Sequence, residues 1–391
     1  MRIAIIHPYF EFRDVTFELS RAFASRGHKV FEVVWSGGSG NGGESLVRSS
    51  GGNRAAFSRI EKNFGMVELP GLNFSPVASM NYPFLLGLEP ALRQMKPDII
   101  DCQSHLFLTA PQSVSAARRL GVPVVITING IIASRGPLLN SAQKLYIRTV
   151  AAAVFRRASV IRCLTPSDAL EAMRYGCPRG KIRIIPNGVD TSLFSPPQGG
   201  KEAPPVVAWA GRFVGEKDLP TLVRAAGIII KERRDARFVL LGDGPLRRPI
   251  ELMARRMGVA QNFEFTGVLN HQAVASWLRR SAVFAFPSLK EGMPLALLEA
   301  MSCGNPVAGT DIPGISSVAR DGESGILVQP RNPESLAKAI LLLLSDWKLR
   351  ERMGSNARKE IMALYSQDAV VKHLEGAYSD AFESHGSKSA R

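Results

Sequence analysis

A few charged side chains in the second half of the chain have the types and spacing to do chemistry. Glu291 and Glu299 stand in Phe286 to Thr310, FPSLKEGMPLALLEAMSCGNPVAGT, and Arg212 and Lys217 in the run GRFVGEK that begins at Gly211. The first stretch reads as a strand end, a tight turn holding Glu291 and Gly292, a helix with Pro294 at its first position, and Gly304-Asn305-Pro306 leading into another strand. Proline there gives up no hydrogen bond, because the first N–H groups of a helix have no internal acceptor. Those N–H groups and the helix dipole favour an anion. Arg212 and Lys217, at and just beyond a strand end, can reach the same crevice, and would offset the charge of a diphosphate both bound and leaving. Carboxylates accept hydrogen bonds from hydroxyls, so the set points to a ligand with both phosphate and sugar. The plain alternative is a capped amphipathic helix whose acidic residues favour its positive end. The chain has no Asp-x-Asp arrangement for holding a divalent ion against a diphosphate, so no metal is expected.

The elements that must position these groups follow from size and pattern. A chain of 391 residues predicts about two domains. Its 45% hydrophobic and 21% charged residues are those of a globular protein, and apolar runs such as Ala339 to Leu344 fall short of a membrane span. The N-terminus enters a strand-like Arg2 to Ile6 with no leader pattern, which predicts a cytoplasmic protein. Cys102, Cys163, Cys177 and Cys303 are scattered without CxxC spacing, so neither a disulfide framework nor a zinc site is expected. The net charge is +15, and residues 1–195 hold 23 Lys and Arg against 13 Asp and Glu. This excess of +10 in the first half suits an anionic membrane surface or anionic substrates. No finger, RNP-like motif or aromatic-interleaved basic element accompanies it, so no nucleic acid is expected.

Taken in order, strands and helices alternate. Residues 2–6, a helix over 14–25 and a strand over 30–34 make an opening βαβ unit of a parallel sheet. Ser36 to Gly52, rich in Gly and Ser, predicts a mobile loop. A strand at 98–101, a helix over 107–120 and a strand over 122–128 follow. Gln103, His105 and Asn129 then stand beyond strand ends, where doubly wound sheets bind ligands. Asn140 to Arg162 predicts a helix with Leu145, Val150, Val154 and Phe155 on one side and Lys144, Arg148, Arg156 and Arg157 around it. Such a helix either lies on an anionic membrane or covers the sheet with a solvated basic face. After Pro186-Asn187-Gly188-Val189-Asp190, the Pro- and Gly-rich stretch around Ser195 to Pro205 reads as the domain boundary. A second βαβ series has strands at 206–210, 238–241, 263–266 and 283–286, and helices close the chain near 333–344, 347–363 and 367–382. The expected division is 1–195, 196–366 and a C-terminal helix with tail over 367–391, packing back toward the first domain.

Gly211-Arg212 with Lys217, Gly242-Asp243-Gly244-Pro245, Phe265-Thr266-Gly267, and above all Glu291-Gly292-Met293-Pro294, Leu298-Glu299-Ala300-Met301 and Gly304-Asn305-Pro306-Val307 resemble the retaining glycosyltransferases of family GT4. The resemblance covers the second domain densely and the Pro186 to Asp190 hinge well. In the first domain it rests on Ser20 to Val34 and on Pro97 through Leu106. It implies the GT-B fold, two Rossmann-like α/β/α domains facing each other across a cleft with C-terminal helices. It also implies metal-free transfer of a sugar from a UDP- or GDP-sugar, with retention, to a hydroxyl of a glycan or lipid-linked acceptor.

Carried over position by position, Arg212 and Lys217 would grip the diphosphate, Glu291 the sugar hydroxyls and Glu299 the ribose. The amides of Gly292 and Met293 would lie near sugar and phosphate, and backbone near Gly267 and Val268 would meet the base. Gly211, Gly242, Gly244, Pro245, Pro294 and Leu295 complete the implied donor site, and Asn129 and His105 join the implied catalytic set. Two departures stand out. Asn129 occupies the position where the family often has a histidine, and Glu11-Phe12-Arg13 that of a common Gly-Gly turn, leaving His7 or Arg13 as substitutes. They keep a non-catalytic nucleotide-sugar-binding subunit as an alternative, and a GT-B epimerase is a separate one, for which the sequence does not supply the acidic and His groups expected in the cleft.

Overall fold

The computed structural model describes residues 1–7, 13–36, 56–73, 83–105, 107–129, 137–197, 199 and 206–389. The expected mobile loop beyond Ser36, residues 131–136 of the loop after Asn129, Glu11-Phe12 and most of the Pro- and Gly-rich link lie outside the described residues. The chain forms two compact units, Met1–Pro186 with Val370–Arg391, and Asn187–Ala369. The first therefore ends at Pro186, ahead of that link. The reason is local: Val189 and Phe194 are buried in the core of the second unit, Val189 N–H donates to Tyr365 O at 2.9 Å, and Ser302 Oγ donates to Phe194 O at 2.5 Å.

In the first unit the strands are β1 (Arg2–Ile6), β2 (Lys29–Trp35), β3 (Ala56–Glu61), β4 (Phe64–Leu69), β5 (Gly71–Asn73), β6 (Pro83–Leu85), β7 (Ile99–Cys102), β8 (Val124–Ile128), β9 (Val160–Cys163) and β10 (Ile182–Ile184). Eight of them form one sheet in the order β10-β9-β8-β7-β1-β2-β4-β3. Every pair is parallel except β3 with β4. A parallel sheet is buried on both faces, and β1 shows it residue by residue. Ala4 and Ile6 enter one apolar cluster with Val154 and Phe155, while Ile3 and Ile5 enter another.

The C-terminal helix Gln367–Ser389 covers the second of these faces. Val370, Val371, Leu374, Ala377, Tyr378 and Ala381 join Ile3, Ile5 and Phe23 there, at the i, i+4, i+7, i+8 spacing of one helical face. Tyr378 stacks on Phe23 with ring centroids 5.5 Å apart, and its hydroxyl donates to the buried Asp101 Oδ2 at 2.6 Å. Gln103 Nε2 donates to Asp101 Oδ1 at 2.7 Å. Burial raises the Asp101 carboxyl, while Tyr378 and the buried Arg162 pull it back down. Arg162 also donates to Ile185 O at 3.0 Å and Pro186 O at 2.5 Å, fixing the last residues before the chain leaves the unit.

Within the expected helix over 140–162 the structure has an α-helix at Pro137–Tyr146, a π turn at Ile147–Ala151 and an α-helix at Ala152–Arg157. Val154 and Phe155 are spent on the core. The outward face carries Lys144, Leu145, Arg148, Arg156 and Arg157, so the segment covers the sheet and keeps a basic face in solvent. Among the described residues no helix is long and apolar enough to cross a membrane.

The second unit has β11 (Val206–Ala210), β12 (Arg237–Leu241), β13 (Phe263–Gly267), β14 (Val283–Phe286), β15 (Val307–Thr310) and β16 (Gly325–Val328). They form one wholly parallel sheet, β13-β12-β11-β14-β15-β16. The winding reverses between β11 and β14, the point where doubly wound sheets open a crevice at their C-terminal edge. Replacing Tyr378 by Phe should leave Asp101 short of a buried hydrogen bond and cost about 1–3 kcal/mol. Urea unfolding of the full chain would measure it, and an unchanged midpoint would mean that the helix is held by its apolar stripe alone.

Candidate functional site

The loops leaving β11 and β14 stand side by side at that reversal. Strand ends are first laced together through the backbone: Gly211 N–H donates to Leu241 O at 2.9 Å and Gly242 N–H to Gly267 O at 3.0 Å. Gly242 has φ of 132°, and a Cβ there would run into the Gly211 carbonyl oxygen. Only glycine combines that backbone with that approach. Beyond Gly211, Arg212 is exposed and makes no ion pair among the described residues. The chain then takes a 3₁₀ turn at Gly215–Lys217 before the helix Leu219–Glu232.

Lys217 reaches across to the other loop. Its Nζ donates to Glu291 Oε1 at 2.6 Å and lies 5.4 Å from the centre of the Phe286 ring. The two side chains are only 19% and 8% exposed. The loops are pinned a second time where Leu289 N–H donates to Glu216 O at 2.8 Å. On the far side, Gly314 lies so close that a Cβ would strike the Glu291 carbonyl. Glu291 therefore has a fixed main chain and a fixed partner.

Pro294 is the N-cap of the helix Leu295–Ser302, with φ −78° and ψ 116°, and so precedes the first helical position expected for it. Its carbonyl accepts from Leu297 N–H at 3.1 Å. Among the described residues, the amides of Gly292, Met293, Leu295 and Ala296 donate to no backbone carbonyl. They form a set of N–H groups next to Glu291 and Lys217, at the positive end of the helix. Glu299 is half-buried on the same helix. At the neighbouring strand ends, Gly244 N–H donates to Asp243 Oδ1 at 2.7 Å. With Arg247, it holds that carboxyl below its usual range. Pro245 is exposed. Arg247 Nη2 donates to Phe265 O at 3.0 Å, steadying the backbone before Gly267, and Val268 stands 80% exposed beyond it.

The expected residues of the first unit fare differently. Asn129 is exposed at the end of β8, its Nδ2 donating to Gln103 O at 2.8 Å. His105 is fully buried, 5.8 Å from the Phe155 ring, and neither ring nitrogen has a hydrogen-bond partner among the described residues. Burial alone pulls its pKa down to about 3, so the ring is neutral and presents no atom to solvent. The sequence placed His105 correctly after β7 and gave no sign that it turns inward. A contact that the sequence did not announce lies at the end of β1, where buried His7 Nε2 meets Glu32 Oε1 at 2.7 Å and Thr16 Oγ1 donates to the same oxygen at 2.8 Å.

The family model described as glycosyl transferases group 1 matches residues 192–360, and that of glycosyltransferase family 4 matches residues 14–193. A 2-deoxystreptamine N-acetyl-D-glucosaminyltransferase of Streptomyces fradiae is 29% identical over 347 residues, 82% of this chain and 79% of that protein. An uncharacterized glycosyltransferase of Methanocaldococcus jannaschii is 30% identical over 224 residues, 54% of this chain and 57% of the other. The chain spans about half the length of the relatives that it matches at 30% identity or more. Anabaena HepE, solved with UDP and glucose, has the same fold, with a TM-score of 0.74 over 97% of this chain and 99% of HepE at 15% identity. The chain belongs to the group 1 glycosyltransferases and has the GT-B fold.

The buried His105 gives a pH test. Its pKa falls from 6.5 in the unfolded chain to about 3 in the folded one, so the unfolded chain binds the extra proton between those values. The stability this neutral ring allows is complete above about pH 6.5. It is lost as the pH falls toward 3, by up to about 1.4 kcal/mol per unit. His105→Phe should therefore shift acid unfolding, followed by circular dichroism, to lower pH. A shift to higher pH would contradict the buried neutral ring.

Proposed function

We propose that the chain transfers a sugar from a nucleotide diphosphate sugar to a hydroxyl of a glycan or lipid-linked acceptor, with retention at the anomeric carbon and without a metal ion. The observation that carries this reading is the cluster at the β11–β14 reversal. There a largely buried ammonium and several amides without a backbone partner among the described residues stand beside one fixed carboxylate, and an exposed guanidinium lies on the loop that leaves β11. Arg212 and Lys217 would take the diphosphate, Glu291 the sugar hydroxyls, Glu299 the ribose hydroxyls and the Gly267–Val268 backbone the base. Gly211, Gly242, Gly244 and Pro245 would let the main chain come close to the ligand.

The chemistry follows from where charge develops. As the bond between the anomeric carbon and the phosphate oxygen breaks, negative charge grows on the leaving diphosphate, and fixed positive groups lower the barrier by meeting it there. The acceptor oxygen forms its bond on the same face, and its proton passes to the departing phosphate oxygen. The similarity to a named aminosugar transferase and to a fold solved with UDP and glucose supports a nucleotide-sugar donor. The acceptor reading draws on the excess of +10 in residues 1–195. It also draws on the basic face of Lys144, Arg148, Arg156 and Arg157, which suits an anionic membrane surface on the cytoplasmic side.

Arg212→Ala and Glu291→Ala should each lower transfer by about 100-fold or more with unchanged circular dichroism. The readout is mass spectrometry of products from a panel of UDP- and GDP-sugars and a lipid extract, and near-normal rates in either variant would sink the assignment. Product NMR should show the donor's anomeric configuration, and EDTA should leave the rate unchanged. On flotation, vesicles with anionic lipid should carry the protein and neutral vesicles should not. Equal flotation on both would remove the electrostatic part of the reading.

A further inference from the structure

The ammonium proposed to grip the diphosphate is bound to the carboxylate proposed to grip the sugar. Lys217 Nζ lies 2.6 Å from Glu291 Oε1. Gly314, packed against the Glu291 carbonyl, and the Leu289–Glu216 backbone bond of 2.8 Å hold the two loops at that distance. At 19% and 8% side-chain exposure the charges are screened less than a surface pair, so the contact is a stronger competitor than an exposed ion pair. An anion that binds Lys217 either displaces Glu291 or comes to lie beside its carboxylate on the remaining N–H donors of the ammonium.

What Glu291 receives in exchange depends on the anion. A nucleotide sugar offers hydroxyls that can replace the ammonium as hydrogen-bond donors. A nucleoside diphosphate offers none at that place, and leaves a carboxylate facing phosphate charge. We propose that Glu291 is an internal competitor for Lys217: it tolerates the donor, and it expels the nucleoside diphosphate product once the sugar has left. This rests on the nucleotide-sugar reading given above. It adds a second duty to Glu291, in product release, and makes release depend on the Lys217 contact rather than on loop opening alone.

The test is calorimetric titration of UDP and of GDP into the full chain and its Glu291→Gln, Lys217→Met and doubly substituted variants. Gln has the shape of Glu without the charge, so the loops should keep their form. The nucleotide that wild type prefers should bind Glu291→Gln about tenfold more tightly, one factor of ten in Kd. Lys217→Met should bind it more weakly. Against Lys217→Met, adding Glu291→Gln should gain less than about threefold, because the contested ammonium is gone and only general repulsion remains. Unchanged or weaker binding by Glu291→Gln overturns the inference while leaving the donor reading intact. An equal tenfold gain in both backgrounds overturns it as well, since the carboxylate would then act by charge alone. If wild type binds neither nucleotide, the donor reading fails and the inference with it.

Discussion

The contact between Lys217 and Glu291 joins two loops that are 74 residues apart in the chain, and the site exists because both loops leave the sheet at its reversal. β11 and β14 are neighbours only because the winding runs outward from β11 to β13 on one side and from β14 to β16 on the other. Parallel strands put all their C-terminal ends on one edge. The reversal keeps the crossover connections from closing over that edge between the central strands. Charge of both signs and the mouth of the Leu295–Ser302 helix thus come together without any long insertion.

Small residues let the framework close up to this point. Gly242 permits the backbone of one strand end to touch another, and Gly314 permits a turn to press on Glu291. A methyl group at either would push the laced loops apart, and with them the cation and the carboxylate. The first unit has the same kind of sheet but spends its polar groups differently. Asp101, Arg162 and Tyr378 are buried in a network tying the C-terminal helix to the end of β7, and His7, Glu32 and Thr16 make a second buried cluster at the end of β1. Asp101, Arg162 and Glu32 all stand in paired strands, and Tyr378 and Thr16 reach the two carboxylates from helices.

Many of the strands, and the strand-end turns that carry the proposed donor residues, were legible in the sequence. Fully buried parallel strands are short apolar runs, and the turns after them need Gly and Pro at fixed offsets. What the sequence did not show is what depends on distance in the chain. Nothing near Lys217 announces that its partner is Glu291, and nothing near Asp101 points to Tyr378, 277 residues on. His105 has the same neighbours in sequence whether its ring faces out or in. Strands β3, β4, β5, β6, β9 and β16 also went unread, and β9 takes the end of the helix expected over 140–162. β3 alternates half-buried and exposed positions, and β5 and β6 have three residues each, too few to set up a period. Pro294 was placed one position late because a helix's first residue and its cap share the same local signals.

The donor side is argued from named atoms and from likeness to relatives, whereas the acceptor reading is drawn from charge in the first unit. The proposal therefore rests on Arg212 and Lys217 holding a diphosphate. A crystal structure of the chain with its preferred nucleoside diphosphate tests it most directly. The account predicts a phosphate oxygen within hydrogen-bond reach of Lys217 Nζ and of the Arg212 guanidinium, with Glu291 displaced from its 2.6 Å contact. A nucleotide bound elsewhere, or bound at the β11–β14 reversal with no phosphate contact to Lys217 or Arg212, would contradict it.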